Sequence, residues 1–319
     1  MQEVTREIFY QNIRNWEDVP FSQSEGWVGM QSGNNASRVR YFMDEQIAAA
    51  AHVKHFAGLT MLYIDTECLR NRAVKPIVIS RFYEALRKTD VDIIELNSRR
   101  IYNAEYEVGM RQAGFLRPTG SFSYEITNLI DLTQEIRYNE NWKRNIKLSD
   151  NQELKLERID KPAEGDIADF MRLYREMSAN KQLTVPFSAE MIHTLLADPH
   201  FHLCFIRQAE KRLSVIIYHH IKDHAGLLYA ANGDEANEKH AGFQLYKQLL
   251  EALQAEGVRS FDMEKMGAST HSTNAVFLFK QGIRGQLTGL CGEWCWYKRA
   301  LYNIGMYIIK KYVWKKTQA

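Results

Sequence analysis

The sequence predicts an α/β protein made of two similar halves, and three observations lead there. The first is a strand–helix–strand unit between Gly226 and Gly285. A strand at 227–230 leads through a polar loop at 232–240 into a helix over 241–255. Phe243, Leu245, Tyr246, Leu249, Leu250 and Leu253 share one broad face of that helix. Gly257 stops it, and a second strand follows at 258–263. The second observation is that the same succession occurs earlier: Gly58, a strand at 59–64, a helix at 78–88, a strand at 91–96, then Ala113-Gly114-Phe115. The third is the spacing. Gly58 and Gly226, Tyr63 and Tyr229, Glu95 and Asp262, and Gly114 and Gly282 are all separated by 166 to 168 residues. An internal duplication accounts for all three. The expected domains are 1–150 and 151–297, with a basic helix at 298–319 packing back on the first domain.

Taken in order, residues 1–35 read as polar and irregular. Residues 38–43, 47–53 and 59–64 read as an antiparallel meander. Pro76 suits the first turn of the next helix. A short helix at 105–112 stops at Gly114, and a strand follows at 124–132. Residues 142–147 (Trp-Lys-Arg-Asn-Ile-Lys) form a basic segment that suits either a solvated helix face or a phosphate contact. The second half opens with a strand at 154–158. An amphipathic helix follows at 166–178, then a helix capped by Ser188 and a second meander at 201–207, 213–220 and 227–231.

Composition excludes several classes. The chain has 319 residues, 45% hydrophobic and 25% charged, and a net charge of +2. That is ordinary for a globular protein with two cores and gives no bulk basic signal for nucleic acid. The asymmetry is terminal: Lys298, Arg299, Lys310, Lys311, Lys315 and Lys316 fall in the last 22 residues, which carry no acid. Cys68, Cys204, Cys291 and Cys295 lack zinc-ligand spacing and read as buried thiols in a reducing compartment. No basic, apolar leader opens the chain and no run of 18 apolar residues occurs, so a cytoplasmic protein is expected.

The order of motifs resembles tandem GNAT-type acyltransferase domains, and in particular the FemAB-like (FemABX) aminoacyl- and acyltransferases. The resemblance rests on Phe21-x-Gln23-Ser24-x-x-Trp27, on 144–147 following the strand end at 130–132, and on Tyr229. It rests also on Gly257 with Asp262, and on Phe279-Lys280-Gln281-Gly282-Ile283-Arg284-Gly285. It implies transfer of an acyl or aminoacyl group to an amine or hydroxyl of a bacterial envelope precursor, a peptidoglycan peptide or a polysaccharide amino sugar. The donor would be acyl-CoA or aminoacyl-tRNA, with no permanently bound cofactor and no metal. A non-catalytic pair binding a saccharide or protein partner is the alternative. The basic terminal helix suits either packing on a domain or contact with anionic lipid at the inner face of a membrane.

Acyl transfer needs a proton acceptor and a stabiliser for the oxyanion. Asp262, in an apolar strand, and Lys280 are the catalytic candidates. Tyr229, Asn232, Phe279, Arg284 and Trp27 are the candidates for substrate contact. The segment after Tyr229 reads Asn232-Gly233-Asp234-Glu235 rather than a glycine-rich pyrophosphate loop. Ala241 and Gly242, opening a helix, are left to offer N–H groups to a donor phosphate. His219 and His220 alternate across a strand, and neither is expected to be catalytic.

Overall fold

Met1–Glu125 with Gly289–Ala319 form unit 1, and Ile126–Thr288 form unit 2. The computed structural model describes residues 1–56, 58–118, 126–266 and 275–308. In unit 1 the chain runs β1 (Gln2–Val4), α1 (Arg6–Ile13), α2 (Glu25–Ser32), β2 (Val39–Met43), β3 (Ile47–Phe56), β4 (Leu59–Ile64), β5 (Cys68–Leu69), α3 (Pro76–Leu86), β6 (Ile93–Ile101) and α4 (Ala104–Gln112). Strands β1 to β4 form an antiparallel meander, and β6 adds parallel to β4. The return from β4 to β6 is made by α3, which starts on Pro76 and buries Ile79, Phe82, Tyr83 and Leu86.

Residues 1–35, expected to be irregular, carry two helices. Thr5 caps α1 by accepting from Ile8 N, and Ser24 caps α2 by accepting from Trp27 N. Their sequence signals are weak. Phe9 and Ile13 are the buried residues of α1, and α2 carries Gly26 and Gly29, so packing rather than propensity decides. The Gln23 amide then ties this region to the sheet. Its Oε1 accepts from Ala50 N at 2.6 Å, and its Nε2 donates to the carbonyls of Ala50 and Asp65 at 3.3 Å.

Unit 2 runs β7 (Ile126–Asp131), α5 (Glu140–Ser149), β8 (Lys155–Ile159), α6 (Glu164–Asn180), α7 (Ala189–Leu196), β9 (Phe201–Gln208), β10 (Lys211–Ile221), β11 (His224–Asn232), α8 (Ala241–Ala255), β12 (Ser260–Asp262) and α9 (Ala275–Gly282). Strands β8 to β11 are antiparallel, β12 is parallel to β11, and β7 is antiparallel to β12. The boundary lies before β7 rather than at 150, because β7 pairs with β12 and α5 packs on α8. Trp142 of α5 is the anchor. It is fully buried, with ring centroids 4.9 Å from Phe243, 4.8 Å from Phe279 and 5.5 Å from Tyr138. A Cβ on Gly282 would lie 1.9 Å from Trp142 Cδ1, so only glycine lets α9 end there. Lys143 and Arg144 of the same helix turn outward to Glu140 and Asn141, the solvated-face arrangement.

The chain then runs through β13 (Gln286–Tyr297), which pairs with β6 between Leu290 and Tyr297, to α10 (Ala300–Ile308). Met306 of α10 is buried with Met61 and Ile93 of unit 1. Leu301, Ile304 and Ile308 of the same helix are exposed. Lys310, Lys311, Lys315 and Lys316, expected in this helix, lie outside the described residues.

The expected duplication is present as topology: hairpin, helix and parallel strand occur in both units. The residue offset does not hold strand for strand. Gly58 sits in the turn before β4 with φ +76°, whereas Gly226 lies inside β11. Glu95 pairs with Tyr63, while Asp262 pairs with Gly226.

Candidate functional site

Strand β11 is nine residues long, but only His224, Ala225 and Gly226 pair with β12. Beyond Asp262 the two strands part. Within β11, Leu228 is the extra residue of a bulge, since Ile217 pairs with Tyr229 and Tyr218 with Leu227. A bulge re-aims backbone groups out of the ladder.

A polar cluster stands at the parting. His219 of β10 lies over Gly226: a Cβ there would be 2.4 Å from His219 Nε2 and 3.3 Å from Asp262 Cβ. The imidazole occupies the space that a side chain at 226 would take. His219 Nε2 is 3.8 Å from Glu264 Oε1, with the two side chains 12% and 14% exposed. Glu264 adopts φ +60°, a conformation costly for a residue with a Cβ. Three contacts hold it there. Asp262 Oδ1 accepts from Glu264 N at 2.7 Å, and Lys280 Nζ donates to the carbonyls of Glu264 and Lys265, both at 3.2 Å. Thr127 Oγ1 donates to Asp262 Oδ1. Asp262 and Lys280, expected from sequence, therefore meet at this turn and fix the Glu264 backbone.

The remaining candidates are dispersed. Tyr229 faces the same side of the sheet as His219, with its ring 4.7 Å from Phe187 and 6.3 Å from Tyr174. The Asn232 amide adjoins the start of α8, 3.0 Å from where a Gly242 Cβ would be. His240 precedes that helix with no side-chain cap, so the N–H groups of Ala241 and Gly242 have no acceptor among the described residues. Such amides suit an anionic group. Phe279 is committed to the Trp142 cluster, 5.3 Å from Phe243 and 5.4 Å from Tyr246. Trp27 is buried in unit 1 against Phe21 at 5.1 Å. Arg284 lines a separate cleft at the other end of β12. His219 was expected from sequence to have no catalytic part, and Glu264 and Thr127 were not singled out. The glycine at 226 was the available signal, but which strand crosses it is set by hairpin register.

No described residues form a group of His, Cys, Asp or Glu suited to a metal. Burial pushes the Cys204 thiol up to about 12 and the Cys291 thiol up to about 11, which keeps both protonated and poorly nucleophilic.

Unit 1 holds a cleft of about 500 Å³ lined by Gln31, Ser32, Arg38, His52, Lys54 and Tyr63, among others, with no acidic side chain among the described residues of its wall. Lys54 Nζ lies 4.7 Å from the Tyr63 ring centroid. Burial, then the Lys54 charge, depress the His52 imidazole to about 4. The unfolded chain, with an ordinary imidazole near 6.5, binds this proton first as pH falls. The stability from neutral His52 is complete above about pH 6.5 and declines by about 1.4 kcal/mol per pH unit until about pH 4. Urea midpoints measured from pH 7 to 4.5 should fall less steeply in His52→Gln. Parallel curves for the two proteins would contradict this.

Compared by sequence with curated proteins, the chain matches none. The model of the acetyltransferase (GNAT) domain family matches residues 137–271. The match spans less than half of the chain, and it supports a transferase. Among solved structures, FemX is similar with a TM-score of 0.73 at 12% identity, covering 97% of this chain and 99% of that one. L-PGS from Bacillus licheniformis is similar with a TM-score of 0.66 at 11% identity, covering 98% of each chain. The C-terminal domain of a putative lysylphosphatidylglycerol synthetase from Agrobacterium fabrum has a TM-score of 0.64 at 12% identity and 95% coverage of each. The mixed α/β fold and FemABX-like resemblance expected from sequence are borne out.

Proposed function

We propose that the chain moves an acyl or aminoacyl group from its donor to an amine or hydroxyl of an anionic bacterial envelope precursor, a peptidoglycan peptide or amino-sugar polymer unit. The observation that carries this is the parting of β11 from β12 beside His219 and Glu264. A donor laid between the parted strands would reach the Ala241–Gly242 amides with its phosphates and present its carbonyl near Leu228. The acceptor nitrogen or oxygen attacks that carbonyl carbon, and the thiolate or ribose oxygen of the donor leaves. The acceptor proton passes to the His219–Glu264 pair, and the oxyanion is met by backbone N–H at the Leu228 bulge. The fold likeness to FemX and to L-PGS supports an envelope substrate. The GNAT match supports an acyl-CoA donor, with aminoacyl-tRNA as the other donor to be tried.

The test is to titrate acetyl-CoA and a mixture of aminoacyl-tRNAs separately onto the whole protein. Saturable binding of one donor is expected. Mutating Gly242→Asp, which places a carboxylate at the α8 amides, should weaken it at least tenfold. Binding of neither donor would overturn the reading in favour of a non-catalytic binding protein.

A further inference from the structure

A second cleft in unit 2, of about 640 Å³, is walled by the end of β7, residues 134–137, the start of β12 and residues 284–286. It lies at the start of β12, whereas the His219–Glu264 cluster lies past its end. Three guanidinium groups line it: Arg137, Arg259 and Arg284. Two are forced together by backbone. Tyr138 and Ile283 form an antiparallel bridge, which sets Arg137 opposite Arg284, and Arg284 N donates to Arg137 O at 2.8 Å. Gly285 makes this possible, because a Cβ there would be 2.4 Å from Leu129 O. Like charges directly opposite one another are destabilising. Among the described residues neither Arg137 nor Arg284 makes a contact ion pair or side-chain hydrogen bond, and Arg284 acts on Glu140 only at longer range. Arg259 Nε lies 3.9 Å from Asp223 Oδ2, and its charge also acts on Asp131 of the cleft wall. Asp131 and Glu135 also line the cleft, and Asp131 spends Oδ1 on Thr133 N and Oγ1 at 2.9 and 2.7 Å.

We propose that this cleft binds a diphosphate group, either free or carried by a nucleotide, with Arg137 and Arg284 as the facing forks and Arg259 as the third cation. Guanidinium forks match phosphate oxygens two at a time, and a bound dianion removes the repulsion between the facing pair. The volume falls in the range of small-ligand sites. Leu129, Ile130 and Ile136 supply apolar wall for a base or sugar.

The experiment is calorimetric titration of the whole protein with inorganic pyrophosphate, cytidine 5′-diphosphate and cytidine. Cytidine diphosphate is used because it is not a fragment of CoA. Both diphosphates should bind saturably and cytidine should not. Tighter binding of the nucleotide identifies a nucleotide ligand, and equal binding identifies a free diphosphate. The double variant Arg137→Gln/Arg284→Gln should raise both dissociation constants at least tenfold and leave acetyl-CoA affinity within twofold. Arg259→Gln alone should raise them about threefold, and it carries the test if the double variant does not fold. The proposal is overturned if neither diphosphate binds the unsubstituted protein, or if the variants bind as it does.

Discussion

Trp142→Ala is expected to lower the stability of the protein by about 3–5 kcal/mol, the range for removing a large buried aromatic. Its ring is in contact with Tyr138, Phe243, Tyr246 and Phe279, and its Nε1 donates to Phe279 O at 2.9 Å. Removal opens a cavity that three helices line and leaves that carbonyl without its donor. Relaxation is limited because α5, α8 and α9 all meet at the ring. Gly282, trimmed to admit it, then gains nothing. Urea unfolding followed by circular dichroism measures the loss. A decrease under about 1 kcal/mol would mean the cluster collapses without strain and Trp142 is not the anchor.

Glu264→Gln is expected to slow transfer by 10²- to 10⁴-fold, the usual contribution of a positioned acid–base group. The substitution keeps shape and backbone contacts: Asp262 still accepts from the residue 264 N–H, and Lys280 still donates to its carbonyl. Thermal midpoint and donor affinity should therefore hold. The measurement is release of donor thiol or tRNA against time with an amino-sugar acceptor, across pH 5.5 to 9. Turnover within threefold of the unsubstituted protein would remove the His219–Glu264 pair from the chemistry.

Period and punctuation made most of the framework legible. The amphipathic face of α8, Gly257 with its φ of +83°, and Pro76 at the head of α3 are local signals, and each fell where expected. The helices in 1–35 were not legible, because Phe9 and Ile13 commit α1 only once a sheet exists to receive them. The site divides the same way. Asp262 was visible as a carboxylate in an apolar strand. His219 was read as non-catalytic, because its place over Gly226 depends on the hairpin register, and no local property of a histidine carries that. Glu264 gives no sign in sequence of its left-handed backbone, which is imposed by Asp262 and Lys280 from both sides. Phe279 reads identically whether it meets a ligand or a tryptophan, and Trp142 lies far from it along the chain.

Unit 1 contains the same pair of parallel strands, and there they do not part. Pairing of β4 with β6 runs to the last residue of β4, Ile64 with Leu96. It continues past the strand end: Thr66 N and Oγ1 donate to Asn97 O, and Arg99 N donates to Thr66 Oγ1. Nothing can be laid between strands stitched in this way. One copy of a duplicated fold has thus closed the slot that the other keeps open. If the open slot holds the donor as proposed, the closed copy has no donor to hold, and its surface becomes free material on which another specificity can be written. Changes in the seam of unit 1 should then register in melting behaviour and leave donor affinity untouched, whereas changes in the seam of unit 2 should do both.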